Sequence, residues 1–512
     1  MILDVAAVFM LTPRAKESDL KVLLVQMAWP SDDWPIPTMP VGLLALAAAA
    51  RRAFGEHVSF SVLDLTLGRT ADVRDELRAA LKRSSPDVVG FRGLSHQHEG
   101  IVELCRMVRQ ALPRAKVIVG GPHASMAPEL LVREDCIDCV VRGEGEHTFV
   151  ELLRAWMSGE DPTRVPGTVW QRDGKAVLAP KRTPIADLDS SPLPAYDLID
   201  FDEYAAKPTM TSYLSQGRYA NLFTSRGCPY RCCYCHSIFD KKVRFRSVSS
   251  LIEEVRLLAD DHGVREFHVV DDIFNIDKQR VLEFAEQVLK LTHPIRLAFP
   301  NGLRADLIDA DVVEAMRAAG TFFVRYALET ASPRLQQAIG KNLRLAQAYD
   351  AIEMTAAAGI FVGVFNMLGF PDETEPEMLE TVHRASQTSA IFSHYFQVTP
   401  YPGTKLYEQA LHAGLLPEGS DLLTTLSFKH LGSASLARVP AARVVEIRQQ
   451  AMREFSFSRK RVQLYRDAVP RLFSAAERAA YLRRKLHECE AVLVDVATPD
   501  THTTLFEMLQ AA

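Results

Sequence analysis

The segment Arg226-Gly-Cys-Pro-Tyr-Arg-Cys-Cys-Tyr-Cys-His236 contains four of the eight cysteines of the chain. Three of them, Cys228, Cys232 and Cys235, have the spacing C-x3-C-x2-C. Spacers this short can bring three thiolates of one loop around the same metal centre. Iron–sulfur clusters are held by cysteine thiolates, usually four, so three ligands leave one iron with an open coordination position. An open position distinguishes a catalytic metal centre from a structural one, so this loop predicts a catalytic cluster.

Two structural uses of the same cysteines remain open from the spacing alone. A zinc ion would need a fourth ligand, which Cys233 or His236 could supply. A disulfide is the other use, and it is disfavoured in a reducing cytosol.

The composition of the 512 residues is that of an ordinary globular protein, with 47% hydrophobic residues, 24% charged residues and a net charge of −5. The slightly acidic balance argues against nucleic acid as the main partner. No apolar run approaches the ~20 residues of a membrane span. Charged residues interrupt the apolar stretch that a signal peptide would need, at Asp4, Arg14, Lys16 and Glu17. We therefore expect a cytoplasmic protein of about three domains.

The cysteine segment opens a region in which short apolar runs alternate with helical patterns, from about 219 to 410. Six such units predict a partial or full barrel with catalytic groups at the carboxyl ends of its strands. The expected strands are 220–224, 266–270, 296–299, 322–328, 361–367 and 394–399, and the expected helices are 249–260, 277–291, 308–318, 332–339, 345–358 and 375–388.

A second alternation precedes the cysteine segment and predicts a doubly wound parallel sheet. Ligands of such sheets bind at the carboxyl ends of the strands. The expected strands are 21–25, 58–63, 87–91, 116–119 and 139–142, and the expected helices are 42–54, 73–84 and 99–112. The candidate ligand-binding residues at those strand ends are Gly120, Gly121, His123, Gly143 and Glu144.

The predicted domains are the doubly wound domain at 1–155, a linker at 156–215, the barrel at 216–415 and a helical C-terminal region at 416–512. The linker contains a hairpin with an Asp173-Gly174 turn. The C-terminal region contains expected helices at 441–455 and 475–492. Cys105 and Cys489 lie on predicted helices and are expected to be core residues.

The cysteine motif, with Tyr234 before its last cysteine and a strand before its first, is similar to the signature of the radical S-adenosylmethionine (radical SAM) superfamily. The resemblance implies a [4Fe-4S] cluster whose unique iron binds the amino and carboxylate groups of SAM. It implies that the reduced cluster donates one electron, which cleaves a carbon–sulfur bond of SAM. It also implies a small-molecule substrate and a one-electron donor such as flavodoxin.

The resemblance extends to the other strand ends of the barrel and implies contacts with SAM there. Asp271 and Asp272 follow the second strand, where the family contacts the methionine amino group; a helix N-cap is the other use of Asp272. Glu329 follows the fourth strand and resembles the position that hydrogen-bonds the ribose or carboxylate. The remaining candidates for cofactor contacts are Tyr234, Arg304 and Ser332. The turns after the fifth and sixth strands also resemble the family, at Leu368–Thr374, where Asp372 replaces a glycine, and at Thr399–Thr404.

The N-terminal region, over about 20–150, resembles the cobalamin-binding domain that is fused to many radical SAM proteins. Glycines at strand ends let a backbone approach a flat macrocycle. The Asp-x-His-x-x-Gly signature that supplies an axial histidine to cobalt is absent, so His96 or His98 is the candidate ligand and His123 is a turn residue or a cofactor contact. The resemblance is equally consistent with cobalamin binding and with a domain that keeps only the fold. The matching stretches are Pro40–Ala47, Gly120–Ala124 and Val140–Glu146.

A finer resemblance rests on the segment Arg231-Cys-Cys-Tyr-Cys235. With this two-domain layout it is similar to the radical SAM enzymes of arsinothricin biosynthesis, which implies transfer of the 3-amino-3-carboxypropyl group of SAM to trivalent arsenic. Arsenite is thiophilic, so Cys233 is the candidate catalytic thiol, and Cys136 and Cys139 are candidate substrate ligands. Core packing is the other interpretation of all three thiols. The rival functions are a cobalamin-dependent methyltransferase or cyclase that uses the 5′-deoxyadenosyl radical, and a non-enzymatic cobalamin or metal sensor.

Overall fold

The computed structural model of the protein describes residues 20–28, 36–211, 215, 217–236, 238–416, 435–456, 458, 460, 461, 463 and 464. Strands and helices alternate through its first part. They are β1 (Leu20–Gln26), α1 (Val41–Phe54), β2 (Val58–Asp64), α2 (Val73–Ser84), β3 (Val88–Arg92), α3 (His98–Ala111), β4 (Lys116–Gly120), α4 (Gly121–Met126), α5 (Pro128–Val132), β5 (Cys139–Val141), α6 (Glu146–Ser158), β6 (Thr168–Arg172), β7 (Lys175–Leu178) and α7 (Phe201–Ala205).

The first sheet has seven strands in the order β2-β1-β3-β4-β5-β6-β7. The strands β1 to β5 are parallel, and both faces of the sheet are covered by helices. Leu23 and Val25 of β1 therefore belong to one hydrophobic core, whereas Val22 and Leu24 belong to the core on the other face. A strand that is buried on both faces has a continuous run of apolar residues, and this run is why the sequence predicted a strand at β1.

The hairpin β6–β7 is a part of this sheet. Asp173 and Gly174 both have positive φ, 52° and 72°, as a two-residue hairpin turn requires. β6 pairs antiparallel with β5, with Val169 opposite Val140. The predicted hairpin is confirmed, but the linker interpretation is corrected, because these strands extend the first sheet and make it mixed.

The second part of the chain forms six parallel strands with helices between them. Its elements are β8 (Tyr219–Leu222), β9 (Ser225–Arg226), β10 (Arg244–Phe245), α8 (Val248–Asp261), β11 (Glu266–Val269), α9 (Lys278–Leu289), β12 (Arg296–Leu303), α10 (Ala310–Ala318), β13 (Thr321–Glu329), α11 (Pro333–Ala338), α12 (Leu345–Ala357), β14 (Phe361–Leu368), α13 (Glu375–Gln387), β15 (Phe392–Gln397), α14 (Lys405–His412) and α15 (Ala441–Ser456).

These six strands have the order β15-β14-β13-β12-β11-β8, so β8 and β15 lie at opposite edges and the barrel is partial. Parallel strands place all their carboxyl ends on the same side, and the cysteine segment follows β8 on that side. The helix α15 covers the outer strand, where Arg448 donates to the carbonyl of Tyr395 at 2.6 Å. The predicted fold class is confirmed by this two-part α/β architecture.

Two predictions at the C-terminus have different outcomes. The helix expected at 441–455 is α15. The helix expected at 475–492, with Cys489, lies outside the described residues. In the described part of the chain, no helix combines the length and the apolarity that crossing a bilayer requires.

Candidate active site

A short antiparallel ribbon closes the cysteine segment at its root. Arg226 of β9 lies opposite Arg244 of β10, so the chain leaves and returns at the same place. Gly227 has a φ of +96°, and a Cβ atom there would lie 2.6 Å from the carbonyl oxygen of Lys242. Only glycine fits this turn, which begins the loop that carries Cys228, Cys232 and Cys235.

The three cysteines of the motif are free thiols on this loop, half-buried at Cys228 and Cys232 and exposed at Cys235. Burial raises the pKa of the Cys228 thiol, and the nearby charges of Asp272 and Cys232 raise it further. The raised pKa means that the Cys228 thiol releases its proton only when a cationic centre binds it, as the thiol of a cluster ligand does.

Within the described residues, no three His, Cys, Asp or Glu side chains converge on one metal ion.

Cys233 is the buried cysteine of the loop, with only 8% of its surface exposed. Its side chain is buried among Leu335, Phe370 and Leu406. Its backbone N–H donates to Ile339 at 2.9 Å, and its carbonyl accepts from Leu406 at 2.9 Å. Burial raises the pKa of its thiol to about 11, so the group is neutral. This burial supports the core-packing interpretation of Cys233, and its catalytic role stays a prediction.

Asp271 and Asp272, adjacent in sequence, have different surroundings. The carboxylate of Asp271 is fully buried and accepts from the backbone N–H of Thr224 at 2.6 Å, from the Thr224 hydroxyl at 2.5 Å and from the Ser225 hydroxyl at 2.6 Å. It therefore ties β11 to the start of the cysteine segment.

Asp272 is the aspartate that faces the thiols. It accepts from the backbone N–H of Gly227, and burial raises its pKa. The helix α9 is capped by Asp277, so the N-cap alternative for Asp272 is excluded.

Glu329 ends β13 and forms an ion pair with Lys341 at 2.8 Å. The segment before Lys341 touches the cysteine loop, since a Cβ atom on Gly340 would lie 2.9 Å from the carbonyl oxygen of Arg231. Sequence reasoning missed Lys341, because no motif marks a lysine after α11.

Arg304 connects the segment around Lys341 to the cysteine loop. Its guanidinium lies 3.7 Å from the ring centroid of Tyr230 and donates to the carbonyls of Lys341 and Asn342, both at 3.1 Å. Arg304 therefore braces the cysteine loop against the segment that holds Lys341.

Ser332 and Tyr234 have partners within the protein. The Ser332 hydroxyl caps α11 by accepting from Leu335 and donates to Glu377 at 2.8 Å. The ring of Tyr234 lies 5.7 Å from that of Phe370. Ser332 thus holds the turn after β13, and Tyr234 anchors the end of the cysteine loop.

The predicted glycines lie at the carboxyl edge of the first sheet. Gly121 has a φ of +87°, and a Cβ atom there would lie 2.6 Å from Cγ of Arg92. Gly120 ends β4 directly before it. Gly143 has a φ of +74° with open space at its Cβ position, and its N–H donates to Ser125 at 2.9 Å. This edge offers backbone rather than side chains to a ligand.

His123 lies beneath that edge in a buried chain of polar groups. Its Nε2 is 2.9 Å from Nδ1 of His98, and its Nδ1 is 3.2 Å from the hydroxyl of Ser95. Burial lowers the pKa of His123 to about 3, so the ring is neutral. Both of its ring nitrogens are engaged, and it braces the loop after β3. His98 uses one nitrogen in the same pair, and His96 is half-buried.

Cys136 and Cys139 lie at the amino end of β5, away from the ligand edge. Cys136 packs in the core on one face of the sheet and Cys139 in the core on the other. Burial raises the pKa of both thiols. The predicted substrate role of this pair is corrected, because two thiols on opposite faces of a sheet cannot bind one ligand.

Glu144 and Glu146 connect the two parts of the molecule. The Glu144 carboxylate lies 2.5 Å from Arg244, and the Glu146 carboxylate lies 2.5 Å from Arg226. Glu144 was expected to contact a cofactor; its second oxygen accepts from the N–H of Ile185 at 2.7 Å, so its partners are protein groups.

Comparison with known proteins gives two matching family models. The B12 binding domain matches residues 36–153, and the Radical SAM superfamily matches residues 222–385. An uncharacterized methyltransferase of Pyrococcus horikoshii is 32% identical over 381 residues, which are 74% of this chain and 79% of that protein. The chain belongs to the radical SAM enzymes that carry a B12-binding domain.

Two solved structures share the fold of this radical SAM enzyme. TsrM from Kitasatospora setae, with cobalamin and a [4Fe-4S] cluster bound, has a TM-score of 0.62 at 22% identity and covers 78% of this chain and 76% of its own. OxsB, with aqua-cobalamin and SAM bound, has a TM-score of 0.63 at 17% identity and covers 96% of this chain and 71% of its own. The predicted cofactors are those that these two structures contain.

Proposed function

We propose that this radical SAM enzyme is a cobalamin-dependent methyltransferase acting on a small molecule. The observation that carries the proposal is the contact between the root of the cysteine loop and the carboxyl edge of the first sheet, through Glu144 and Glu146. Two cofactors held at these places would lie on either side of this contact.

The names of similar proteins support methyl transfer. The relative from Pyrococcus horikoshii is called a methyltransferase. The cytidylyl-2-hydroxyethylphosphonate methyltransferase of Streptomyces wedmorensis is 27% identical over 379 residues, which are 68% of this chain and 71% of that enzyme.

The residues of the barrel take defined places in this proposal. Cys228, Cys232 and Cys235 would hold the cluster, and Asp272 and Glu329 would position SAM beside it. When bound, the cluster would supply single electrons and cobalamin would carry the methyl group.

The glycine-rich edge at Gly121 and Gly143 would let a corrin approach the backbone. No residue of this edge is assigned as an axial cobalt ligand, since His123 is buried and His98 is paired with it.

Two alternatives remain as outcomes of the test. The anaerobic magnesium-protoporphyrin IX monomethyl ester cyclase of Rubrivivax gelatinosus is 25% identical over 341 residues, which are 60% of that enzyme. Aminocarboxypropyl transfer to trivalent arsenic rests on the segment Arg231–Cys235, and the burial of Cys233, Cys136 and Cys139 removes the thiols that motivated it.

The test is the co-product formed from SAM. The protein is reconstituted anaerobically with iron, sulfide and cobalamin, reduced with flavodoxin or a chemical reductant, and given SAM with and without arsenite. Methyl loss leaves S-adenosylhomocysteine, which we expect in proportion to bound cobalamin and not from cobalamin-free protein. 5′-Methylthioadenosine, formed only with arsenite, would instead establish aminocarboxypropyl transfer. 5′-Deoxyadenosine without S-adenosylhomocysteine would indicate cyclase-type chemistry, and no cleavage of SAM would favour the sensor.

A further inference from the structure

Four charged side chains form a buried cluster between the two parts of the molecule. Glu144 and Glu146 come from the loop after β5 and the first turn of α6, and Arg226 and Arg244 come from the ribbon β9–β10. The exposed fractions of the side chains are 5% for Glu144, 7% for Glu146, 18% for Arg226 and 8% for Arg244. Two carboxylates and two guanidiniums make the cluster electrically neutral.

Besides pairing with the carboxylates, both guanidiniums contact the cysteine loop. Arg244 donates to the carbonyl of Phe239 at 3.2 Å, and Arg226 lies 5.6 Å from the centroid of the Phe239 ring. Phe239 lies on the returning leg of the loop, four residues after Cys235. The two guanidiniums therefore contact the returning part of the loop at Phe239, and they also pair with the carboxylates of the first domain.

The backbone conformation around Glu144 and Glu146 determines where their carboxylates lie. Gly143, with a φ of +74°, turns the chain out of β5, and a Cβ atom on Gly145 would lie 2.9 Å from Leu46. Glu146 begins α6, where the helix dipole favours an anion. Although burial opposes its charge, Arg226 lowers the pKa of Glu146 below its ordinary value.

We propose that Glu144 and Glu146 are positioning residues for the iron–sulfur site: through Arg226 and Arg244 they fix the root of the cysteine loop against the cobalamin-facing edge and balance the positive charge behind the cluster. The inference rests on the cluster of the proposed function but not on methyl transfer. An uncompensated guanidinium beside the cluster would stabilise its reduced, more negative state, and an uncompensated carboxylate would destabilise it.

The test is the reduction potential of the cluster in the full-length reconstituted protein, measured by a redox titration followed by electron paramagnetic resonance (EPR). Glu146→Gln removes the carboxylate charge, and we expect a more positive potential. Arg226→Gln removes the opposite charge, and we expect a more negative potential. The double variant removes both charges, and its potential is expected to return toward that of the wild type.

The matched control is Glu151→Gln on the same helix. Glu151 pairs with Arg182 at 2.5 Å, away from the cysteine loop, so its loss should leave the potential unchanged. A merely structural perturbation would move both single variants in the same direction, and that result, or a Glu146→Gln shift no larger than that of the control, would overturn the inference. If Glu146→Gln assembles no cluster, the double variant must restore its iron content, and failure to do so also contradicts the inference. A wild-type protein without a cluster would instead refute the proposed function.

Discussion

The carboxylate of Glu329 lies 2.8 Å from the ammonium of Lys341, and both side chains are only 9% exposed. Glu329 adopts a left-handed backbone conformation, with a φ of 69°. Such a conformation costs a non-glycine residue roughly 1–2 kcal/mol and persists where the surrounding structure holds it. The turn after β13 thus presents a paired carboxylate beside the cysteine loop.

The first prediction separates the structural and ligand-binding contributions of this pair. Glu329→Gln leaves the buried Lys341 ammonium uncompensated and is expected to lower the free energy of unfolding by about 3 kcal/mol. It is also expected to weaken SAM binding about tenfold, a loss of about 1.4 kcal/mol. Urea denaturation and equilibrium dialysis of cluster-loaded protein measure the two effects.

The double variant Glu329→Gln/Lys341→Met tests that separation. It is expected to recover most of the stability but not SAM binding, whereas recovery of both would refute a ligand contact by Glu329. Glu314→Gln breaks an exposed pair with Arg317 on α10 and serves as the control.

The second prediction concerns neighbouring cysteines. Alanine at Cys228, Cys232 or Cys235 removes a proposed ligand, and we expect loss of bound iron and sulfide. Alanine at Cys233 removes a buried sulfur atom that packs on Phe370, so we expect a full cluster and a stability loss of about 1 kcal/mol. Iron and sulfide analysis after anaerobic reconstitution measures the contrast. If the Cys233→Ala variant lost the cluster and the Cys232→Ala variant kept it, the assignment of the ligands would be wrong.

The third prediction is a pH dependence at Glu373. This carboxyl is fully buried, and burial raises its pKa to about 7, although it accepts from Gly369 and Phe370. Because the folded state favours the neutral acid, its stabilisation is present below about pH 4.5 and is lost as the pH rises to about 7, by about 3 kcal/mol.

Glu373→Gln keeps a hydrogen-bond acceptor and removes this titration. Its stability relative to the wild type is therefore expected to increase between about pH 5 and pH 8 in urea denaturation. A difference that does not change with pH would show that Glu373 titrates normally.

The fourth prediction concerns Asp372, which replaces a glycine of the family turn. Its φ is 59°, the left-handed conformation that glycine adopts without cost. Asp372→Ala is expected to be about 1 kcal/mol less stable than Asp372→Gly, because alanine resists this conformation. The exposed pair with Arg438 is lost in both variants, so the comparison cancels it. Equal thermal unfolding of the two would contradict a backbone origin.

Much of the fold was predictable because it depends on local pattern. The apolar run Val22–Val25 of β1 is continuous, as a parallel strand covered on both faces requires. The hairpin turn at Asp173 and Gly174 was equally visible. Its pairing with β5 was not, since the antiparallel register of Val169 with Val140 depends on contacts far apart in sequence.

In the candidate site, too, local features could be predicted from the sequence, whereas contacts between distant residues could not. The spacing identified Cys228, Cys232 and Cys235, but it could not show that Cys233 points into a core formed with Leu406, which lies far along the chain. The partners of Glu144 were hidden for the same reason, since Arg244 lies 100 residues away. Side-chain direction on an irregular loop has no periodicity from which it can be inferred.

The central claim is that the cysteine loop and the carboxyl edge of the first sheet form one composite site for two cofactors. The most direct test is the spin relaxation of cob(II)alamin bound to protein whose cluster is reduced. A nearby paramagnetic cluster accelerates that relaxation, so we expect faster relaxation in the wild type than in the Cys232→Ala variant loaded with the same cobalamin. Identical relaxation in the two proteins, with both cofactors present in the wild type, would contradict the composite site.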